Sequence, residues 1–336
     1  LLSMKVEADK VQLDGLNATI VRRADGTTSI DDLIGTPADE TKSDTDTTGG
    51  SAGPALEDIN IGGIELTNAT IKYQDDLAKN TVVLKNLSLE TGAISNNKLT
   101  PLKFSVDATA TNPKANAKLT VDGQLNPNLI AQSVASPDLT IDVKGSVTDT
   151  NIDQTIKLID LNASPKAVTA GSVQVDSRIG QQTRKVLASL KFPLAFDLAA
   201  GVLNLKSFTG QLDVNDPALS KDTVSLPFSG AATVNTKKEA VDLTLKVAAP
   251  DTALDAKVGV NGFAKPKIKF NIAADKIDVD RYFPVPPDAK GEAAKNPEKP
   301  APAPGPEAPN DLSALNDLTS DGQASIGQLL ARGLKV

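Results

Sequence analysis

The 336-residue chain contains no cysteine, no histidine and no tryptophan. Without cysteine there is no disulfide frame, no thiol nucleophile and no thiolate for a metal. Without histidine the chain also lacks the side chain best suited to acid–base work near neutral pH. The missing cysteines fit an oxidising compartment, where a stray thiol is a liability. Aromatic residues make up 3% of the chain, and 42 Asp+Glu outnumber 35 Lys+Arg for a net charge of −7. Such a chain lacks both the basic patches that hold phosphates and the rings on which bases stack, so no nucleic-acid partner is expected. No metal or cofactor is expected either. Uninterrupted apolar runs reach only a few residues, far short of the roughly 20 that a spanning helix needs. The chain opens at Leu1 without an initiator methionine and stops at Val336 inside an apolar-patterned segment. The expectation is a piece of a longer protein.

Two segments interrupt the pattern. Residues 36–54 (TPADETKSDTDTTGGSAGP) hold no large apolar residue, and residues 284–309 hold nine of the 21 prolines. The first has nothing to bury, and the second favours extended, semi-rigid polyproline geometry. The expected division is a strand hairpin over 1–35, a flexible acidic and glycine-bearing linker over 36–54, and a main curved sheet over 55–283. A Pro/Ala-rich linker over 284–309 and a helical turn with a strand over 310–336 complete it.

Between the linkers the chain alternates with period two, the mark of a half-buried strand. Leu102, Phe104 and Val106 alternate with Lys103, Ser105 and Asp107. Leu119 and Val121 alternate with Lys118, Thr120 and Asp122, and Leu139, Ile141 and Val143 with Thr140, Asp142 and Lys144. Phe192, Leu194, Phe196 and Leu198 run opposite Lys191, Pro193, Ala195 and Asp197, and Leu203 and Leu205 flank Asn204. Leu243, Leu245 and Val247 oppose Asp242, Thr244 and Lys246, while Ile268, Phe270 and Ile272 oppose Lys267, Lys269 and Asn271. Asn112-Pro113, Asp122-Gly123 and Asn261-Gly262 carry turn chemistry between or beside these runs. Helical pattern is scarce. Asn126–Ala135 has a cap residue followed by proline, Gln181–Leu190 is a second candidate, and Leu312, Leu315 and Leu318 suggest one or two turns. VQLDGLNATIV (11–21) and IELTNATIKY (64–73) resemble each other, which suggests a sheet that grows by adding hairpins.

A sheet with one apolar face must cover it with a second sheet, with helices or with a ligand. Each clear strand carries three or four apolar groups worth about 1.5–3 kcal/mol apiece when buried. Helices are too few to cover them. The absence of tryptophan and the rarity of rings speak against a compact sandwich, and the missing aromatic girdles speak against an outer-membrane barrel. The expected fold is all-β: an elongated, curved antiparallel sheet with one apolar concave face and a few short helices. The twenty apolar residues named above are the candidate lining of that face.

Three stretches resemble the AsmA family. Asp9–Ile34 (DKVQLDGLNATIVRRADGTTSIDDLI) is similar to its signature, with Asp25-Gly26 followed by Asp31-Asp32-Leu33. Asp275–Pro284 (DKIDVDRYFP) is similar to a second family segment, and Asp321–Val336 (DGQASIGQLLARGLKV) to a later strand. The Pro-rich insert at 284–309 is longer than the family pattern. The resemblance implies a periplasmic protein held in the bacterial inner membrane by an N-terminal helix absent from this chain. It also implies kinship with TamB-like and YhdP-like proteins, whose curved sheets form a lipid-accommodating groove. Family members are implicated in phospholipid movement to the outer membrane and in outer-membrane protein assembly.

No catalytic constellation emerges, and the chain is not expected to be an enzyme. Asp278 and Asp280 would share a strand face about 6.8 Å apart, a spacing open to a glycosidase pair, but a solvated face or turn explains them, with Arg281 pairing to a nearby Asp. Asp44 to Gly49 starts like a calcium loop, yet Ala55 stands where the closing Glu belongs. Asp31 and Asp32 read as caps rather than metal ligands. Two functions remain. One is phospholipid binding and transfer on the apolar face; the other is a lipid-free scaffold or assembly factor for outer-membrane proteins, its faces packed on each other.

Overall fold

The computed structural model describes residues 4–31, 56–217, 219, 223–250, 252–278, 319–331 and 334–335. The strands are β1 (Met4–Ala8), β2 (Val11–Asp14), β3 (Asn17–Arg22), β4 (Leu56–Ile61), β5 (Ile64–Asp75), β6 (Asn80–Thr91), β7 (Ile94–Ser95), β8 (Thr100–Thr111), β9 (Lys114–Asn128) and β10 (Ser133–Val147). There follow β11 (Thr150–Ala163), β12 (Ala167–Gln181), β13 (Arg184–Asp197), β14 (Val202–Asn215), β15 (Thr223–Asn235), β16 (Ala240–Ala249), β17 (Thr252–Asn261), β18 (Lys267–Asp278), β19 (Thr319–Ala331) and β20 (Leu334–Lys335). The chain divides into two compact units, Leu1–Gln182 with Pro193–Leu198, and Thr183–Phe192 with Ala199–Val336; β13 contributes to both.

In the first unit β5, β6, β8, β9, β10, β11 and β12 form an antiparallel ladder in that order. At its edge β2 and β3 lie one after the other along β5, both parallel to it. The two resembling segments therefore pair side by side in parallel, not as a hairpin. Side chains pin this edge: the Asp14 carboxylate accepts from the Thr67 hydroxyl at 2.6 Å and from Asn68 Nδ2 at 2.8 Å, and Lys10 pairs with Glu65 at 2.6 Å. β1, β4 and β7 form a separate small sheet. In the second unit β14 to β18 form an antiparallel ladder. β19 adds in parallel beside β18, and β20 folds back on its end.

The alternation shows directly in burial. Along β16, Val241, Leu243, Leu245 and Val247 are half-buried while Asp242, Thr244 and Lys246 are exposed. Bulges interrupt several strands. In β5 and β6 the register shifts at Asn68 and Asn86, both in the left-handed region at φ 54° and 51°. Asparagine tolerates that conformation better than other non-glycine residues, and a bulge of this kind sharpens local twist.

Two helix expectations are overturned. Asn126–Ala135 spans the end of β9, a turn and the start of β10. Asn126-Pro127 lies within β9, and the turn after it is closed by Asn128, whose Oδ1 accepts from the Ala131 N–H at 2.8 Å. Gln181–Leu190 is the β12–β13 connection and the start of β13, with Gln182 at φ 51° making the reversal. Asp122-Gly123, read as a turn, lies inside β9. Asn112-Pro113 does connect β8 to β9, and Asn261-Gly262 does open the β17–β18 connection. The expectations for residues 36–54, 284–309, Asp280, Arg281, the Asp44 loop and Leu312 to Leu318 lie outside the described residues.

Candidate functional site

Residues opposite each other on neighbouring strands point to the same face, so a chain of partners traces one row across a sheet. In the first unit one row runs Leu13, Leu66, Leu89, Phe104, Val121, Ile141, Ile156, Val175, through eight strands. At ordinary strand spacing it is about 34 Å long. A second row joins Leu102, Gly123, Leu139, Leu158 and Val173, and a third joins Val106, Leu119 and Val143. The eight candidate residues from β8, β9 and β10 thus share one face.

The second unit repeats the arrangement. Leu203, Val234, Val241, Val260 and Ile268 form one row; Leu205, Ala232, Leu243, Val258 and Phe270 form the next; Gly230, Leu245, Ala256 and Ile272 form a third, headed by Phe208. Val247 joins Phe228 and Leu254 in a fourth. The Leu205 to Phe270 row floors a trough of about 640 Å³. On β13, Phe192, Leu194 and Phe196 are half-buried, while Leu198, just past its end, is exposed.

The glycines on these faces report curvature. A Cβ added to Gly145 would lie 2.0 Å from the Asn116 carbonyl oxygen, and one added to Gly230 would lie 2.0 Å from that of Thr244. On the opposite face, a Cβ at Gly259 would meet nothing closer than Asp242 Oδ1 at 3.6 Å, and one at Gly180 nothing within 4 Å. Space converges on the inside of a bend and diverges on its outside, so the apolar face is the concave one. Gly327, beside the bulged Asp275, is crowded as well, by that residue's carbonyl. Three rings use the missing side chains: Phe208 and Phe228 lie over Gly230 and Gly210 and meet edge to face at 6.2 Å, and Phe270 lies over Gly322.

Among the described residues, little covers either concave face. Among the described residues the buried large apolar side chains are Val106, Val173, Phe208 and Val224. Two apolar sheets packed on each other would bury nearly every inward side chain. Here most of the lining is only partly buried. The convex face is polar. Lys85, Asp107, Lys118, Lys144, Asp153 and Arg178 form a row across it, with Lys144 and Arg178 at 3.9 and 3.8 Å from Asp153.

The turn chemistry near the N-terminus is structural. Asp25 accepts from the Thr27 N–H at 2.9 Å and hydroxyl at 2.7 Å; Asp31 accepts from the Thr28 N–H at 2.7 Å and from its hydroxyl. These bonds hold both carboxyls below the usual carboxylate range. Asp75 is held low first by the Ala78 N–H and then by Arg22, against the opposing effect of burial. Each carboxylate is occupied in closing a turn or pinning a strand edge.

Reading the sequence missed several lining residues. Ile156 and Leu158 alternate about Lys157 and were accessible to the same period-two test. Leu84, Leu87 and Leu89 were masked by the bulge at Asn86, which breaks their alternation.

Comparison with curated proteins and with solved structures returns no match. The family model does match in part: residues 1–136, from the N-terminus through β9 into β10, fit the AsmA family, and this portion of the chain is AsmA-like.

Proposed function

We propose that this chain is a phospholipid carrier of the bacterial envelope, working in the periplasm as part of a parent anchored in the inner membrane and supporting outer-membrane biogenesis. Acyl chains would lie along the concave apolar rows, drawn there by non-directional hydrophobic transfer. The convex charged face would meet water. The carrying observation is the pairing of continuous one-sided rows with side chains only partly buried, an apolar surface that the described residues leave uncovered. The same observation disfavours a lipid-free scaffold or assembly factor for outer-membrane proteins, since that reading needs the faces packed on each other. The chain acts as a carrier and not as an enzyme.

Native mass spectrometry of gently extracted protein tests this. The expected spectrum contains the chain with one or more phospholipids bound. A spectrum of the bare chain alone, under conditions that preserve a known lipid carrier in complex, would refute it.

A further inference from the structure

We propose that Arg22 holds the phosphodiester of a bound glycerophospholipid at one rim of the first unit's concave face. The inference rests on the carrier reading and names the group that fixes the lipid's head. Along β8, Ala108 and Ala110 continue the alternation of Leu102, Phe104 and Val106, so they face the same side. Ala110 belongs to a row of successive partners that crosses six strands: Ile20, Tyr73, Val82, Ala110, Ala115 and Val147. The next step outward is polar. Arg22 stands opposite Asp75, and Asp75 opposite Asn80. Among the described residues, Arg22 and Asp75 are the charged side chains on this face of β2, β3, β5, β6, β8, β9 and β10. The other charged residues of those strands alternate to the convex side.

The Arg22 side chain has donors to give. Among the described residues it makes one hydrogen bond, from Nη1 to Asp75 Oδ2 at 3.2 Å, and it is 40% exposed. Most of the five N–H groups of its guanidinium are therefore left for a ligand. Asp75 is 10% exposed and also accepts from the Ala78 N–H at 2.8 Å. It orients the guanidinium without using up its donors. A planar fork of N–H groups matches two phosphate oxygens at once. Tyr73 marks the boundary: its ring stands in the apolar row and its hydroxyl reaches Asp75 Oδ2 at 3.5 Å.

Position selects the ligand, not net charge. Asp25, Asp31 and Asp76 lie in the turns at this rim together with Arg23 and Lys79, so an anion feels no general pull there. What singles out Arg22 is a cation at the end of an otherwise uncharged apolar face. A ligand that uses both needs one phosphate and hydrocarbon attached to it. The adjoining row is about 24 Å long at ordinary strand spacing, against the roughly 15 Å that the chains of one leaflet fill in a bilayer. Its alanines keep that path low beside the guanidinium.

Competition between phosphatidylethanolamine and a diacylglycerol with the same chains, read by native mass spectrometry of the full chain, tests the proposal. The wild-type chain is expected to prefer the phospholipid by at least about tenfold. Arg22→Gln is expected to lose that preference while taking up diacylglycerol as the wild type does, and Arg22→Lys to keep part of it. Arg22→Gln leaves Asp75 without its cation. Arg22→Gln/Asp75→Asn removes both charges, and is expected to show the same loss of preference with a melting profile close to wild type. A wild type that takes the two lipids alike, or folded variants that keep the preference, overturns the anchor and leaves the apolar carrier surface standing. Equal loss of both lipids in the folded variants also overturns it, by reducing Arg22 to a pin between β3 and β5. A wild type that binds neither lipid refutes the carrier reading, and the anchor with it.

Discussion

Aspartate in place of Leu243 is expected to strip the chain of bound phospholipid while leaving its melting temperature almost unchanged. Leu243 lies on β16 between Ala232 and Val258 in the row that floors the trough. It is half-buried, so the lipid-free protein already keeps water beside it. The new carboxylate remains hydrated in that state and costs about 1 kcal/mol of stability or less, as for other half-exposed sites. Acyl chains laid over it would remove that water and leave an unpaired charge against hydrocarbon, a penalty of several kcal/mol. An affinity loss of roughly a hundredfold or more follows. Lipid content by mass spectrometry and melting by circular dichroism read the two effects separately. If Leu243 were part of a packed core, the order would reverse: melting would fall steeply, by several kcal/mol, whether or not lipid was present.

Valine in place of Gly145 is expected to do the opposite and damage the fold itself. The added Cβ would sit 2.0 Å from the Asn116 carbonyl oxygen and 2.7 Å from the Ala117 Cα, both backbone atoms of β9. Neither can yield without opening the β9–β10 ladder, in which Gly145 pairs with Ala117. The cost is on the order of 3 kcal/mol, at the upper end of overpacking penalties. Gly259→Ala is the control on the convex face. Its nearest neighbour at 3.6 Å is in ordinary contact, and alanine reduces the freedom of the unfolded chain, so stability should shift by about 0.5 kcal/mol or less. Denaturant midpoints for the two variants compare them directly. Equal destabilisation would mean that the apolar face is not the inside of the bend.

Much of this was legible in the sequence because a half-buried strand writes its facing into every second residue. Leu102 to Val106, Leu139 to Val143 and Leu243 to Val247 each show it without interruption, and each falls on the concave side. The same rule explains the failures. In β13, Leu187 is exposed on the wrong parity beside half-buried Val186 and Ala188, and that extra apolar residue made a strand look helical. Asn126-Pro127 reads as a cap pair in the sequence, yet both residues lie at the end of β9, and it is Asn128, two residues on, whose side chain closes the turn by accepting from the Ala131 N–H. Asp122-Gly123 carries turn residues, yet Gly123 lies mid-strand because a Cβ there would meet the Asp138 carbonyl oxygen at 2.4 Å. Crowding of this kind depends on curvature, which no single strand encodes. The parallel placement of β2 and β3 along β5, and of β19 along β18, follows from long connections whose residues do not specify where the next strand lands.

Everything rests on which side of the sheet meets lipid. Photo-crosslinking residues placed at Ile141 and at Asp142, adjacent on β10 but on opposite faces, ask that question in cells. Lipid adducts are expected from position 141 and not from position 142; adducts from both alike, or from neither, would contradict it.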